Sequence, residues 1–417
     1  MGGVDPYGNP GPLSLRITTT YGGPVSVPTP EFTPKDLEGM FAERLSEAFR
    51  QLGVFNLAVF GKTGAGKSTL VNAVFGRDVA ATGMGRPITK GLEYYRHPDG
   101  FLGVYDSEGF ETGTSGDAIL SGLRKVVGDR RSGDLAEQIH AVWYVVRWSD
   151  RRFEGRQAEF VDALVAMGLP VLLVMTQVPT KDHMVHPDAV ELAKYIESLR
   201  LPTRPAGRVL LTNAKKDEFT GSAVFGLKDL LDATYAVVPE AAENALTAAQ
   251  VLDLERKRQA ARKVINQAAA ISAGIGATPI PIADAALLIP HQVAMMAKIT
   301  AAYGLPPVKS NVISQAGILM LTGGATMVGR YAVTNLLKFV PGGNVAGSAI
   351  SATVAGTLTK SVGIAWSRVC EYSLRLDPAM FDEFWTGKDV QQRFVSYLKD
   401  SKLSDVLPSK KSALEAT

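Results

Sequence analysis

The sequence predicts an α/β domain built on a mainly parallel sheet, followed by an all-α helical domain. Two observations predict the first part. A glycine-rich loop at residues 61–68 follows a buried apolar strand, and strand and helix patterns then alternate as far as residue 237. A third observation predicts the second part, because the chain beyond residue 240 is rich in small residues and contains long uncharged segments.

Composition limits the classes of protein to which the chain can belong. Its 417 residues allow two or three domains, and 46% hydrophobic against 20% charged residues is typical of a globular chain. The net charge of +3 gives no strong basic excess, so no nucleic-acid partner is expected. Cys370 is the single cysteine, which excludes a disulfide framework and predicts a small buried apolar side chain in a reducing compartment.

The N-terminal region divides into an arm and a helix. Residues 1–33 are rich in glycine, proline and threonine without periodicity, which predicts a flexible arm; a partner-binding segment is the alternative. They lack the basic and apolar blocks of a secretory signal, so a cytoplasmic location is expected. Residues 34–52 predict an amphipathic helix that begins after Thr33, ends at Gly53 and packs on either the α/β part or the C-terminal part.

The elements of the α/β part follow in order from hydrophobic pattern and turn residues. A tight turn at residues 98–100 joins two of the strands. The predicted strands are 54–60, 92–97, 101–105, 140–148, 171–175 and 208–212, and the predicted helices are 68–75, 153–167, 187–199 and 224–237. In such a sheet, ligands bind beyond the carboxyl ends of the strands.

The loop at residues 61–68 fits the phosphate-binding pattern G-x-x-x-x-G-K-[ST]. Its glycines let consecutive backbone N–H groups point at phosphate oxygens, and the following helix directs its positive end to the same place. Lys67 would reach the β- and γ-phosphates, and the Ser68 hydroxyl would hold Mg²⁺. The alternative is a glycine-rich turn without a ligand, which the strand, loop and helix order disfavours.

Two downstream features extend this loop into a switch. Asp106 to Gly109 fits D-x-x-G after a strand, where the aspartate holds Mg²⁺ through a water and the glycine amide senses the γ-phosphate. Thr89 lies between the loop and this motif, where a threonine binds Mg²⁺ and the γ-phosphate when the segment closes.

With residues 72–76 (NAVFG) and 85–89 (GRPIT), these motifs resemble the translation-factor-related GTPases of the Era-like, septin-like and immunity-related branch. The resemblance covers roughly residues 50–238 and implies a P-loop GTPase domain, GTP and GDP as ligands, Mg²⁺ as cofactor, and hydrolysis that releases the two switch loops. The implied metal ligands are Ser68, Thr89 and Asp106. The implied nucleotide-binding residues are Gly61, Lys62, Thr63, Gly64, Ala65, Gly66, Lys67, Ser68, Thr69, Thr89, Gly109, Thr176, Gln177, Asn213, Ala214 and Lys215.

The chain departs from the family at the guanine-reading motif [NT]-K-x-D. The matching residues 176–179 read Thr-Gln-Val-Pro, so Gln177 replaces the lysine, and Pro179 cannot accept the guanine hydrogen bonds. Asp182 is near but out of register. Asn213-Ala214-Lys215 resembles the loop that backs the base, which favours guanine.

A second departure concerns hydrolysis. Phe110 stands where Ras-like members place the glutamine that orients water. Candidates for the missing group are Arg77, Arg86, Glu108 and Glu111, and we assign Arg86 and Glu108 as catalytic. Arg86 lies three residues before Thr89, the spacing of an in-cis arginine finger; the alternative is a solvated loop residue. Slow hydrolysis is expected, without potassium dependence, because the potassium-linked asparagine of some relatives is Gly64 here.

The C-terminal half begins with a predicted long helix at residues 241–262, followed by a helical hairpin broken at Pro279 and Pro281 within residues 271–304. Residues 255–375, and residues 279–284 above all, resemble the helical domain of unknown function that accompanies such bacterial GTPases, some of which associate with membranes. His291 is interpreted as a packed or solvated histidine and Asp284 as a helix N-cap or first-turn acid. Residues 381–398 predict an amphipathic helix before a lysine-containing tail.

Two interpretations of the apolar segments remain. In one, the hairpin and residues 339–359 enter a bilayer, since their lengths approach the ~20 residues of a span. In the other, which we favour, a helical bundle binds the membrane surface reversibly, because small residues, prolines and Asp284 suit lipid poorly. Peripheral location at the inner membrane is the corresponding expectation.

The predicted organisation is an arm (1–33), a helix (34–52), a P-loop GTPase domain (53–240), an apolar helical domain (241–375), and a terminal helix and tail (376–417). The first functional hypothesis is a slow GTPase switch whose helical domain couples nucleotide state to membrane association or self-assembly. The second is a nucleotide-binding scaffold that docks a protein partner with little hydrolysis, and the third is a small-molecule kinase. Membrane lipid and a homodimer or higher assembly are the partners left open besides GTP and GDP.

Overall fold

The structure is a computed structural model. It describes residues 32–76, 79, 84–89, 92–98, 100–107, 114–130, 137–182, 184–276, 283–305, 312–313, 315–316, 352–386 and 388–400. The predicted arm up to residue 31, most of segment 339–359 and the tail after residue 400 lie outside these ranges.

The described helices and strands follow the predicted alternation. The helices are α1 (Pro34–Leu52), α2 (Lys67–Phe75), α3 (Thr114–Arg130), α4 (Gly155–Ala166), α5 (Pro187–Ser198), α6 (Leu227–Tyr235), α7 (Glu240–Ala249), α8 (Leu254–Gly276), α9 (Ala283–Ala302), α10 (Ala352–Ser373), α11 (Pro378–Thr386) and α12 (Asp389–Lys399). The strands are β1 (Phe55–Gly61), β2 (Met84–Thr89), β3 (Leu92–Arg96), β4 (Leu102–Ser107), β5 (Ala141–Arg147), β6 (Val171–Thr176), β7 (Thr180–Lys181), β8 (Met184–Val185) and β9 (Arg204–Leu211).

Seven of the described strands form one sheet in the order β2-β3-β4-β1-β5-β6-β9. β4, β1, β5, β6 and β9 run parallel, and β3 runs antiparallel to β2 and β4. β1 lies inside the sheet with all seven residues buried, so its carboxyl end delivers the phosphate-binding loop from a fixed position. The predicted mainly parallel sheet followed by helices is confirmed. The strand β2, over residues predicted as a linker, was not foreseen.

The N-terminal helix α1 is defined by its first turn. The Thr33 hydroxyl accepts from Asp36 N, and the Asp36 carboxylate accepts from Thr33 N, which closes a capping box. The predicted apolar stripe packs against α9 and α7 of the C-terminal part, and the Phe49 ring stacks on Phe101 of the α/β part at 5.5 Å. Phe41 meets Trp366 of α10 edge-on at 6.3 Å. Both packing alternatives therefore hold, and α1 lies between the two parts.

Two predicted helices are wrong in extent. Residues 241–262 do not form one helix, because Gln250 leaves the helical conformation and exchanges two hydrogen bonds with the backbone of Asp253. The Asp253 carboxylate then accepts from Arg256 N and starts α8 anew. The predicted helix 381–398 is likewise two helices, because α11 ends at Thr386 and α12 begins at Asp389.

The C-terminal helices pack closely because small residues lie where they cross. A Cβ on Gly363 of α10 would lie 2.8 Å from Ile265 Cγ1 of α8. Trp366 of α10 is fully buried, and its indole N–H donates to Met296 O and to the Thr300 hydroxyl of α9. The predicted buried Cys370 lies in the same core, where burial raises the pKa of its thiol. Within the described ranges, no helix is both long and apolar enough to cross a membrane.

The structure describes only the two ends of the predicted hairpin. α8 ends at Gly276 and α9 begins at Ala283, while Pro279 and Pro281 lie outside the described residues. Asp284 falls in the first turn of α9, as one interpretation required. His291, inside α9, packs against α8, where a ring nitrogen lies 3.0 Å from Ala268 O.

A buried lysine joins three C-terminal helices. Lys257 of α8 is 1% exposed, and its ammonium donates to Ala248 O at 2.8 Å and Tyr303 O at 3.0 Å. These carbonyls belong to the last turn of α7 and to the residue after α9, where a positive charge interacts favourably with the helix dipoles. The ends of α7 and α9 are thereby fixed to α8.

Candidate nucleotide-binding site

The glycines of the loop at residues 61–68 have conformations that other residues adopt only with strain. Gly64 and Gly66 have φ of 74° and 85°. A Cβ on Gly61 would lie 2.3 Å from Val145 O of the neighbouring strand β5. The loop therefore depends on glycine both for its turn and for its close approach to the sheet.

The helix after the loop has an N-terminus without a side-chain cap. Its N-cap is Gly66, which has no side chain that could accept from the first turn, in contrast to the capping box of α1. The first helical donor is Leu70 N, which bonds Gly66 O at 2.9 Å, so the N–H groups of Lys67, Ser68 and Thr69 precede the helical hydrogen bonds. This geometry suits an oxyanion.

Lys67 is the cation of the phosphate-binding pattern, and its ammonium group is hydrogen-bonded to backbone carbonyl groups of the same loop. Its side-chain nitrogen donates to Gly61 O at 3.1 Å and to Lys62 O at 3.3 Å, and the residue is only 9% exposed. Burial lowers the pKa of Lys67, and the negative charge of Asp106 opposes that shift. A buried cation facing an uncapped helix N-terminus can neutralise a phosphate group.

Asp106 on β4 and Ser68 on α2 have side-chain oxygen atoms that could ligate a metal ion. Asp106 lies near the carboxyl end of β4, in register with Val59 of β1, and Ser68 is exposed in the first turn of α2. A carboxylate and a hydroxyl are hard ligands of the kind that Mg²⁺ uses. The donor set therefore fits the predicted metal.

The residues in place of the guanine-reading motif contact the loop directly. The Thr176 hydroxyl donates to Ala65 O at 2.5 Å, and the Gln177 side-chain amide donates to Gly64 O at 3.0 Å. Gln177 adopts φ of 57°, which turns its side chain back over the loop. Pro179 follows half-buried, and Asp182 is exposed in the turn between β7 and β8.

The loop after β9 lies beside this segment. Asn213 pairs with Phe225 through two backbone hydrogen bonds, and its side-chain amide donates to Ala223 O at 2.9 Å. Ala214 is half-buried and Lys215 is exposed. The Ser222 hydroxyl accepts from Thr180 N and donates to Thr180 O, each at 3.2 Å, so the two predicted base-binding loops are joined.

Sequence reasoning missed the ion pairs around the loop. Lys62 lies 3.0 Å from Glu154, and the hydrogen bond and charge of Lys62 lower the pKa of that exposed carboxyl. Arg147, held by Asp150 at 2.6 Å, lies 3.7 Å from the position of a Cβ on Gly64. Arg147 is the last residue of β5, at the carboxyl edge of the sheet where ligands bind. This position could have identified Arg147 as a site residue from the sequence.

Several of the predicted site residues lie partly or wholly outside the described part of the chain. Arg86 and Thr89 lie on β2, with their backbones opposite Tyr94 and Leu92, and their side chains lie outside what is described. Arg77, Glu108, Gly109, Phe110 and Glu111 are also outside the described residues. The catalytic assignments, Gly109 and the complete metal site therefore stay predictions.

A loop with the phosphate-binding sequence pattern joins β1 to α2, on a mainly parallel sheet with one antiparallel hairpin at its edge, and this is the predicted P-loop GTPase fold. In the helical half, residues 241–379 match a family model described as a domain of unknown function, DUF697. No curated protein matches the chain.

Three similar solved structures cover parts of the chain. A probable GTP-binding protein engB is 14% identical over 44% of this chain and 97% of its own, with a TM-score of 0.29. A dimerisation-deficient mutant of Toc33 from Arabidopsis thaliana is 18% identical over 47% and 91%, with a TM-score of 0.30. The cytosolic domain of the T. maritima FeoB iron transporter, in a GDP form, is 16% identical over 51% and 72%, with a TM-score of 0.24.

Proposed function

We propose that the protein is a GTP-binding switch that hydrolyses GTP slowly to GDP and phosphate. Its helical part would couple nucleotide state to reversible membrane association or self-assembly. The observation that carries the proposal is the buried Lys67 at the uncapped N-terminus of α2, in a loop to which Thr176 and Gln177 donate hydrogen bonds.

Phosphate binding follows from the charges of this arrangement. The N–H groups of Lys67, Ser68 and Thr69 would donate to phosphate oxygens, and Lys67 would exchange its carbonyl contacts for the β- and γ-phosphates. The exchange is favourable because the ammonium group would then face a full negative charge in place of neutral carbonyl oxygens. Mg²⁺ held by Ser68, Asp106 through water, and Thr89 would neutralise charge on the β- and γ-phosphates.

The base would lie between the segment that begins at Thr176 and the loop that begins at Asn213. Their connection through Ser222 and Thr180 supports one pocket built from both loops. Gln177 would orient the phosphate loop from beneath the base, the place that the family gives to lysine. Pro179 contributes no hydrogen-bond acceptor from its side chain, so guanine selectivity would depend on backbone groups of these loops.

Hydrolysis would depend on Arg86 and Glu108, since Phe110 cannot orient water. Arg86 on β2 would approach the γ-phosphate when the segment with Thr89 closes, and an arginine finger contributes roughly 10³–10⁵ in rate. Until that closure, turnover would be slow. Glu108 would position the attacking water from the D-x-x-G segment.

Two contacts support coupling between nucleotide and helical part. Val251 N, between α7 and α8, donates to Val74 O at the end of α2, the helix that begins at the phosphate loop. The turn between β3 and β4 brings Phe101 onto Phe49 of α1 and into a cavity of about 80 Å³ that Lys257 also lines. We propose residues 53–240 as the switch unit and residues 241–375 as the unit that responds.

The test uses the purified full-length protein with GTP or ATP and Mg²⁺, with and without liposomes of mixed anionic lipids. We expect GTP binding, a slow release of phosphate, and faster release on liposomes or at high protein concentration. Lys67→Ala should abolish binding, while Lys194→Ala, an exposed lysine on α5, should not. Arg86→Ala should reduce turnover at least tenfold with binding retained.

Each outcome separates the hypotheses. If the protein binds neither GTP nor ATP, both the switch proposal and the scaffold hypothesis are overturned. GTP binding without turnover under every condition favours the nucleotide-binding scaffold that docks a partner. Rapid turnover by the isolated protein, unchanged in Arg86→Ala, overturns the role of that arginine.

A further inference from the structure

A second cation lies against the phosphate loop, at the end of the strand next to β1. Arg147 is the last residue of β5, and its Nη1 atom lies 3.7 Å from the position that a Cβ on Gly64 would take. Gly64 lies in the middle of the loop at residues 61–68 and has a positive φ. The Arg147 side chain is 39% exposed, so a molecule bound at the loop can reach it.

The ion pair of Arg147 uses only one edge of its guanidinium group. Nε donates to Asp150 Oδ1 at 2.8 Å, and Nη2 lies 2.6 Å from the same oxygen. Among the residues that the structure describes, none accepts a hydrogen bond from Nη1, the nitrogen that lies near Gly64. A guanidinium group has five N–H donors in a planar fork, so one edge can hold a carboxylate while the other binds a phosphate oxygen.

The turn after β5 orients this guanidinium group. Residues Trp148–Asp150 form one 3-10 turn, which brings the Asp150 carboxylate back to Arg147. The next residue, Arg151, pairs with Asp188 at 3.0 Å and attaches the turn to α5. Because the ion pair already orients Arg147, little side-chain freedom remains to be lost when Nη1 binds a ligand.

Arg147 also lies beside the segment that departs from the guanine-reading motif. It is in register with Thr176 of β6, and the residue after Thr176, Gln177, donates to Gly64 O at 3.0 Å. The family motif has lysine at residue 177, so the positive charge that Gln177 lacks is present on the neighbouring strand, near the same glycine. Since Gln177 begins the proposed base-binding segment, this side of the loop faces the phosphates nearest the base.

We propose that Arg147 binds, through Nη1, the phosphates nearest the base and supplies the positive charge that Gln177 lacks. The inference rests on the proposed nucleotide site and adds a residue to it. GTP and GDP share these phosphates, so Arg147 contributes to the binding of both, whereas Arg86 acts on the γ-phosphate during turnover. Arginine suits the position, because it stays charged when partly buried and its bonds to phosphate are charge-assisted.

The experiment measures the Kd values of GTP and GDP for the full-length protein with Mg²⁺ by calorimetry. The test variant is Arg147→Gln. Arg151→Gln is the matched control, because it removes the same charge from an ion pair next to the same turn. Asp150→Asn removes the partner of Arg147 but leaves its charge. Gln177→Lys in the Arg147→Gln background returns a positive charge to the residue that contacts Gly64.

We expect Arg147→Gln to raise both Kd values by about tenfold or more, because it removes a hydrogen bond between charged groups. Arg151→Gln should change them by less than about twofold, as exposed ion pairs contribute little. Asp150→Asn should leave both Kd values within about threefold of wild type, and the added Gln177→Lys should lower those of Arg147→Gln by at least about threefold.

Equal losses in Arg147→Gln and Asp150→Asn would show that the ion pair alone matters and would overturn the phosphate contact. Unchanged Kd values in Arg147→Gln, a loss confined to GTP, or no recovery with Gln177→Lys would also overturn it, while the proposed function would stand. If the wild type binds neither nucleotide, both fail together. Should Arg147→Gln not fold, Asp150→Asn decides, because a loss of about tenfold there contradicts the proposal and retained binding supports it.

Discussion

The side-chain amide of Gln177 donates to the carbonyl oxygen of Gly64 at 3.0 Å, which attaches the predicted base-binding segment to the phosphate loop. At the position where the family motif has lysine, a neutral amide therefore contacts the loop.

Removal of this contact should weaken nucleotide binding. We expect Gln177→Ala to raise the Kd for a fluorescent GTP analogue by about three- to tenfold, because one net hydrogen bond contributes about 0.5–1.5 kcal/mol. Gln177→Lys, which restores the family residue, should bind within about twofold of wild type. An unchanged Kd in the alanine variant would contradict a role for this amide.

Gly226, the N-cap of α6, should not tolerate a side chain. A Cβ there would lie 2.0 Å from Leu211 O, and the residue has φ of 74°. Gly226→Ala should lower the free energy of unfolding by at least about 2 kcal/mol in urea titrations. Gly100→Ala is the matched control, since its φ is 84° but nothing lies within 4 Å of the added Cβ. Equal losses in the two variants would show that backbone conformation alone, and not the clash, sets the cost.

The buried Lys257 should make stability depend on pH. Burial lowers its pKa to about 7 from the ordinary 10.5, so between these values the unfolded chain binds more protons than the folded one. The free energy of unfolding should then rise with pH in this window, by up to about 1.4 kcal/mol per pH unit, and should be lowest below pH 7.

The measurement compares wild type with Lys257→Met in urea at pH 7 and pH 9. The difference between the two proteins should move in favour of wild type at the higher pH. Lys263→Met, an exposed lysine on the same helix, is the control. The same change in both comparisons would exclude Lys257 as its source.

The stacked rings of Phe49 and Phe101 should carry part of the coupling between the nucleotide and the helical part. Phe101→Ala should retain GTP binding within about threefold, yet reduce by at least half the nucleotide-dependent change in amide hydrogen exchange along α9. Phe219→Ala, which removes a ring that is 99% exposed, should leave that change intact. Full retention of the change in Phe101→Ala would mean that coupling bypasses this turn.

The sequence predicted those features that depend on neighbouring residues. Glycine spacing located the loop at residues 61–68, and the Thr33–Asp36 spacing located the start of α1, because both act over four to eight residues. The break at Gln250 was missed, since alanine-rich flanks hide a cap made by a single aspartate. Strand β2 was missed because its conformation depends on pairing with β3.

For the candidate nucleotide-binding site, too, the sequence predicted the residues of local motifs but not the long-range contacts. Lys67 and Ser68 follow from the motif alone, while the contacts of Gln177, Arg147 and Glu154 join segments up to 113 residues apart. No local pattern contains such a contact.

The position of α1 has a consequence during synthesis of the chain. α1 leaves the ribosome before the helices that cover its apolar stripe, because α9 and Trp366 of α10 follow about 250–320 residues later. At roughly 5–20 residues per second, that delay exceeds ten seconds. Throughout it, the stripe that contains Phe41 and Leu45 would be a binding site for a chaperone or for a second nascent chain.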